Sequence, residues 1–145
     1  MNVFRYINEH LESCVNLFIK VFNAPPWNDR WTSETAAKLL TNFSNIPNFI
    51  GFIGTIESQL IAACFGYKKT WWNNEEYYIE EMFVDNDYQR IGHGSKMLQN
   101  IQTELLKENI KSITLLTGIH KPAKSFYEKN EFSVLKNLVF MKRKI

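Results

Sequence analysis

Apolar positions recur at the three- and four-residue spacing of amphipathic helices in four separate stretches of the chain. The first stretch covers residues 9–23, and the second begins at a cap formed by Thr32 or Ser33. The third follows a glycine-containing turn and ends near Asn109, and the fourth covers residues 122–129. Each predicted helix has one apolar face for a core and one polar face for solvent.

Runs rich in β-branched and aromatic residues lie between these helices and predict strands. A hairpin is predicted over residues 49–67, because the short polar turn Glu57-Ser58-Gln59 separates two apolar runs. The other predicted strands cover residues 3–7, 77–84, 113–117, 132–135 and 138–141. The order βααβββαβαββ predicts one α/β (α+β) domain over residues 1–145, with four helices and a mixed sheet of about seven strands.

Composition and charge exclude several classes of partner. The formal net charge of the 145 residues is +2 without a long basic run, which argues against nucleic acid. No apolar run approaches the ~18 residues of a membrane span, and the N-terminus lacks a secretory signal. Cys14 and Cys64 fit no metal or disulfide spacing. We therefore expect a cytoplasmic protein without nucleic-acid, membrane or metal partners.

The segment between the strand that ends at Val84 and the third helix carries the strongest functional signal. It reads Gln89-Arg90-Ile91-Gly92-His93-Gly94. Backbone N–H groups in such a turn face outward from the positive end of a helix dipole and bind phosphate well. Arg90 adds a fixed positive charge that suits a pyrophosphate. The spacing matches neither a Walker A loop nor a dinucleotide-binding fingerprint.

This turn and a second motif together resemble the GNAT superfamily of acetyl-CoA-dependent N-acetyltransferases. The two motifs are Gln89-x-x-Gly92-x-Gly94 and Ala123-x-x-x-Tyr127-Glu128-Lys129-x-x-Phe132. The predicted order of elements is also similar to that family's fold over the whole chain. The resemblance implies a sheet that splays between its fourth and fifth strands, with acetyl-CoA in the gap.

The resemblance also implies which residues hold the acetyl-CoA cosubstrate. The backbone of residues 82–84 would pair with the pantetheine arm as an added strand does. The amides of residues 90–95 would hold the pyrophosphate. The expected cofactor-binding set is Met82, Phe83, Val84, Gln89, Arg90, Ile91, Gly92, His93, Gly94, Ser95, His120 and Tyr127.

Three catalytic roles follow from the same resemblance. A primary amine would attack the thioester directly through a tetrahedral intermediate, with Glu80 as the base, directly or through a water molecule. The N–H of Met82 would stabilise the oxyanion, and Tyr127 would protonate the departing CoA sulfur. From the residues alone, Tyr127 beside Phe126 on a helix would be assigned to core packing.

A base is needed because a lysine-like amine is protonated at pH 7. Its pKa lies about 3.4 units above that pH, so removing the proton costs roughly 4.6 kcal/mol. Strict strand alternation places Tyr78, Glu80 and Met82 on one face and Glu81 on the other. Bases of the family fall at positions that match Tyr78 and Glu80, so Glu80 is favoured over Glu81. His120, which replaces the family's usual asparagine, is a third candidate. In the alternative, both glutamates only bind a cationic substrate.

Trp27, Tyr78 and Glu80 are expected to form the acceptor site, because aromatic rings with carboxylates suit a cationic amine. The acceptor could be an aminoglycoside- or polyamine-like small molecule, a protein lysine or a protein N-terminus, and the sequence leaves all three open. His120 and Glu131 depart from the family pattern, which keeps a CoA-binding module without catalysis as an alternative. A domain for another phosphate ligand is a third. The predicted C-terminal hairpin is a common dimer edge in the family and implies a homodimer.

Overall fold

The computed structural model describes all 145 residues as one five-stranded sheet with helices on both faces. The strands are β1 (Asn2–Arg5), β2 (Phe49–Ile56), β3 (Gln59–Thr70), β4 (Glu75–Val84) and β5 (Ile113–Leu115). The α-helices are α1 (Leu11–Phe22), α2 (Ser33–Ser44), α3 (His93–Lys107) and α4 (Pro122–Lys129). The four predicted helices are thus confirmed, and none of them has the length and hydropathy of a membrane span.

The strands lie in the order β1-β2-β3-β4-β5, and all neighbours are antiparallel except β4 and β5, which are parallel. The β4–β5 pairing is short, since it joins only Tyr77–Ile79 to Ile113–Leu115. Beyond Ile79, β4 continues to Val84 with β3 on one side and no strand on the other. The predicted splay between the fourth and fifth strands is confirmed.

The sheet separates two hydrophobic cores. We call its two sides the α1/α2 face and the α3/α4 face, after the helices that cover them. Prominent residues of the first core are Phe18, Leu40, Ala63, Phe65 and Phe83. Prominent residues of the second core are Cys64, Tyr77, Ile79, Met97, Ile101 and Tyr127.

The predicted count of about seven strands is wrong, because the chain after α4 forms no strands. Within residues 133–145 a single backbone hydrogen bond is donated, from the Leu138 N–H to the Leu135 carbonyl. Val139 and Phe140 are 80% and 79% exposed. Strand-forming residues satisfy their backbone groups only beside another strand, and β5 offers an edge of three residues.

Candidate active site

One extra residue in β4 marks the point where the sheet splays. Phe65 of β3 pairs with Glu81, whereas the next residue, Gly66, pairs with Ile79. Glu80 therefore has no partner on β3, which is the arrangement of a β-bulge. Side chains before and after a bulge do not follow one continuous alternation. Each side chain after Glu80 therefore lies on the face opposite to the one that strict alternation predicts.

The bulge changes which face the site residues occupy. Directly paired residues point to the same side of a sheet, so Glu81 lies with Phe65 on the α1/α2 face. Met82 pairs with Cys64 and packs on the α3/α4 face. The predicted strict alternation is wrong here, since it put Glu81 on the face opposite Tyr78 and placed Met82 with Tyr78.

Close packing beneath the bulge requires a glycine. A β-carbon at position 66 would lie 2.5 Å from Cζ and 2.6 Å from Oη of Tyr77, and it would also collide with the carbonyl oxygen of Tyr78. The Tyr77 ring is fully buried, and its hydroxyl donates a hydrogen bond of 2.7 Å to the Ile50 carbonyl. Nothing in the local sequence around Gly66 signals this contact, because its partner lies eleven residues away on the next strand.

Glu81 is a partly buried carboxylate at this bulge. Burial raises its pKa to about 7, and the negative charges of Glu80 and Asp29 act in the same direction. The nearby N–H of Met82 opposes the shift. Burial also raises the pKa of Glu80, although the positive charge of Lys69 limits that effect. A carboxylate with a pKa near neutrality can accept a proton at physiological pH.

Tyr127 lies on α4, on the opposite face of the sheet from Glu81. Its side chain is buried in the α3/α4 core, with ring centres 5.1 Å from Phe126 and 5.2 Å from Phe132. Burial raises the pKa of Tyr127, and the charges of Cys64 and Glu81 reinforce the shift. The hydroxyl is therefore protonated at neutral pH and able to donate a hydrogen bond.

The free edge of β4 carries backbone donors toward the gap. The Asp85 N–H donates to the Ile61 carbonyl of β3 at 2.8 Å. Because N–H groups alternate in direction along a strand, those of Met82 and Val84 point away from β3, toward the side without a strand. The Val84 carbonyl, on this same side, accepts a hydrogen bond of 2.8 Å from Gln89 Nε2.

The turn after β4 is held by the Gln89 side chain. Its Nε2 also donates to Asn86 Oδ1 at 2.9 Å, so the amide of Gln89 positions the turn. Arg90 and Gly92 adopt left-handed backbone conformations, with φ of 63° and 92°. Gly94 lets α3 approach α4, because a β-carbon there would lie 3.0 Å from the Phe126 ring.

The predicted phosphate-binding turn exposes a row of unpaired donors. None of the backbone N–H groups from Arg90 to Ser95, a run that includes Ile91 and His93, donates to another group of the protein. The first backbone hydrogen bond of α3 is donated by Lys96 to the Gly92 carbonyl at 2.9 Å. Consecutive free amides at the positive end of a helix dipole form an anion site.

The loop between α1 and α2 forms the other wall of the gap. Asn23 and Trp31 fix this loop by two hydrogen bonds of 2.8 and 2.9 Å, and the Trp31 indole donates to Asp29 at 2.9 Å. Trp27 of this loop lies 4.8 Å below the ammonium of Lys121, which immediately precedes α4. The contact connects the walls on the two sides of the gap.

The predicted site residues lie in three places. Tyr78, Glu80, Glu81 and Met82 lie at the bulge, Tyr127 lies in the α3/α4 core, and the turn lies at the end of β4. His120 is exposed on the loop before α4 and makes no hydrogen bond. Sequence reasoning missed Asn23, which holds its own loop, and it missed Gly66 and Lys121, which contact other elements of the fold.

A model of the acetyltransferase (GNAT) family matches residues 11–132. No curated protein sequence matches the chain significantly.

Solved structures of acetyltransferases share the fold at low sequence identity. A GNAT family acetyltransferase of Staphylococcus aureus has 16% identity, a TM-score of 0.74 and coverage of 99% of this chain and 98% of its own. An aminoglycoside acetyltransferase from an uncultured soil metagenomic sample, in complex with sisomicin, has 19% identity, a TM-score of 0.75 and coverage of 99% and 95%. An aminoglycoside 6'-N-acetyltransferase of Acinetobacter haemolyticus has 12% identity, a TM-score of 0.76 and coverage of 100% and 99%.

Proposed function

Because this chain belongs to the GNAT family of acetyltransferases, with acetyl-CoA as the acetyl donor, we propose that it acetylates a primary amine of a small molecule or peptide. The amine would attack the thioester directly through a tetrahedral intermediate. One observation carries the proposal: the free edge of β4 leads directly into a turn whose backbone N–H groups are unpaired.

The unpaired donors fit the donor substrate. The amides of residues 90–95 offer hydrogen bonds to a pyrophosphate, and Arg90 adds a positive charge beside them. The edge of residues 82–84 offers a strand-like partner to the amides of a pantetheine arm. His120 is exposed on the loop that faces this region, where it would make an additional polar contact.

Two groups would supply the chemistry of the transfer. The Met82 N–H, directed away from β3, would stabilise the negative charge that grows on the thioester oxygen. The Tyr127 hydroxyl, which burial keeps protonated, would donate its proton to the departing sulfur. Both groups belong to rigid elements, so neither needs to reorganise during the reaction.

The base comes from the carboxylate pair at the bulge. Sequence reasoning favoured Glu80, which lies close enough to Tyr78 for its charge to raise the pKa of that phenol. Glu81 has the better support from its surroundings, because its pKa of about 7 matches a base that works at neutral pH. Exposed His120 is the weakest of the three candidates.

The acceptor would be a cationic amine. Trp27 and Tyr78 supply aromatic faces, and Glu80, Glu81 and Asp29 supply negative charge beside the gap. Two fold neighbours are aminoglycoside acetyltransferases, which favours a small polyamine-like acceptor over a protein lysine or N-terminus.

Thiol release from acetyl-CoA across a panel of amines, with mass detection of the product, tests the function. The Tyr127→Phe variant should lose about 100-fold in kcat while its melting temperature stays close to that of the unmodified protein. Tyr6→Phe is the matched control, since Tyr6 is equally buried but belongs to the α1/α2 core. CoA-dependent thermal stabilisation without thiol release from any amine would instead identify a CoA-binding module. No stabilisation by CoA would point to another phosphate ligand.

We also propose a homodimer formed through residues 133–145. Large apolar side chains of this segment are exposed, namely Val134, Leu135, Leu138, Val139, Phe140, Met141 and Ile145. Sedimentation analysis should give a dimer for the whole chain and a monomer after truncation at Phe132. A cytoplasmic location remains part of the proposal, and it agrees with the buried, unbridged thiols of Cys14 and Cys64.

A further inference from the structure

The ammonium of Lys69 lies in a box formed by two aromatic rings and a carboxylate beside the bulge. Its Nζ lies 5.2 Å from the centre of the Tyr78 ring and 5.1 Å from that of Trp71. Glu76 Oε1 lies 3.9 Å from the same Nζ. Two rings and a carboxylate around one ammonium are the components of a cation-binding site.

Glu76 and Tyr78 are held in place by neighbouring side chains, whereas Lys69 is not. Glu76 Oε1 accepts a hydrogen bond of 3.2 Å from the Thr114 hydroxyl of β5. Tyr78 packs against the Tyr67 ring, with 5.6 Å between the ring centres. The Lys69 side chain is 38% exposed, and its flexible stem can swing into solvent without moving the backbone. Another ammonium could therefore replace that of Lys69.

We propose that Lys69 is a specificity-determining residue, whose ammonium fills a subsite for a second ammonium group of a polycationic acceptor. The acceptor displaces Lys69 when it binds, and one of its ammonium groups takes the same place between Tyr78, Trp71 and Glu76. The inference rests on the proposed function, because it takes Glu80 to border the reacting amine.

Displacement makes Lys69 an internal competitor. An acceptor with a single amine has no group to place in the box, so Lys69 stays there throughout its turnover. A polycationic acceptor must first break the contacts of Lys69 with the rings and the carboxylate. Contacts of this kind at a partly exposed site reduce the affinity for the competing ammonium by about 5- to 10-fold.

Lys69→Met tests the proposal, since methionine keeps an unbranched apolar stem and removes the charge. The measured quantity is the ratio of kcat/KM for spermidine to kcat/KM for n-butylamine. This ratio should rise about 5- to 10-fold in the variant. Lys68→Met is the matched control, because the neighbouring Lys68 pairs with Glu75 at 3.3 Å and points to the opposite side of β3. Its ratio should equal that of the unmodified protein.

Three results would overturn the proposal. If kcat/KM changed by the same factor for spermidine and n-butylamine in Lys69→Met, Lys69 would have a structural role only. A falling ratio would mean that Lys69 does not compete with the substrate. A selective loss of activity toward amines that carry a carboxylate would make Lys69 a binder of anionic acceptors.

Thermal melting separates this proposal from the proposed function. Spermidine should raise the melting temperature of Lys69→Met more than that of the unmodified protein, whether or not acetyl transfer occurs. Such a difference without thiol release from any amine would retain the cation subsite and reject the acetyltransferase function. Thiol release from amines with identical spermidine effects in both proteins would reject only the subsite.

Discussion

Gly66 and Tyr77 lie so close that a β-carbon on the glycine would stand 2.5 Å from Cζ of the tyrosine ring. The pair sits beside the bulge at Glu80, where Phe65 pairs with Glu81 and Gly66 pairs with Ile79. The absence of a side chain on one strand thus accompanies the extra residue on the other. Through this bulge, Glu81 joins the α1/α2 face and the Met82 N–H turns away from β3.

Gly66→Ala should destabilise the protein by about 2 kcal/mol, because the added methyl group meets a buried ring and a backbone carbonyl that cannot move away. Urea denaturation measures the loss. Gly54→Ala is the control, because the nearest atom to its β-carbon is the Sδ of the flexible Met1 side chain at 2.7 Å. An equal loss in both variants would show that Gly66 has no special packing role.

The bulge also explains where the sequence stops being informative. Helices α1–α4 could be predicted, because periodicity and capping are local: Thr32, for example, accepts the Thr35 N–H and begins α2 as expected. The face of Glu81 could not, because it depends on the extra residue that β4 carries opposite β3, which no local pattern records. A two-residue alternation is reliable only while the ladder has no extra residue.

The prediction of two C-terminal strands was wrong for a different reason. Residues 132–135 and 138–141 have the composition of strands, but a strand is stable only with a neighbour that completes its hydrogen bonds. The glycine-containing turn after β4, in contrast, could be predicted, because the local backbone requires a glycine at position 92, where φ is 92°. A residue that the local backbone geometry requires can be predicted from a single sequence. A residue that a distant neighbour requires cannot.

Glu81→Gln should alter the pH dependence of stability. The folded-state pKa of Glu81 is about 7, above the ordinary value of 4.5, so ionisation in the folded protein carries a cost that protonation removes. The unmodified protein therefore loses stability relative to the glutamine variant as pH rises from about 4.5 to about 7, and the difference is complete above pH 7. Its upper limit is about 3 kcal/mol, and residual solvent contact reduces it.

Urea denaturation of both proteins between pH 4.5 and pH 8.5 measures this difference. If the difference in free energy of unfolding between the two proteins stayed constant from pH 4.5 to pH 8.5, Glu81 would titrate near its ordinary pKa. Kinetics add a second readout: the rise of kcat/KM near pH 7 should disappear in Glu81→Gln if this residue is the base. If the rise of kcat/KM persisted in Glu81→Gln and disappeared in Glu80→Gln, Glu80 would be the base.

Lys20→Met should weaken the turn that follows β4. Lys20 Nζ lies 2.6 Å from Asp85 and 2.6 Å from Asp87, and Asp85 is the only charged residue that is fully buried. Removal of the lysine leaves the Asp85 carboxylate without a counter-ion, which should cost about 2 kcal/mol. That value lies below the range for fully buried pairs, because Lys20 is 45% exposed.

The same substitution should weaken CoA binding, because Asp85 begins the turn whose free amides we propose as the pyrophosphate site. Asp85 Oδ1 accepts the Asp87 N–H at 3.1 Å, so the loss of Lys20 loosens the first residues of this turn. Urea denaturation and the CoA-dependent rise in melting temperature are the two measurements. Lys107→Met is the control, since Lys107 pairs at 2.6 Å with Glu104 on the exposed side of α3. If Lys20→Met lowered stability but left the CoA effect equal to that of Lys107→Met, the turn would bind its ligand independently of this ion pair.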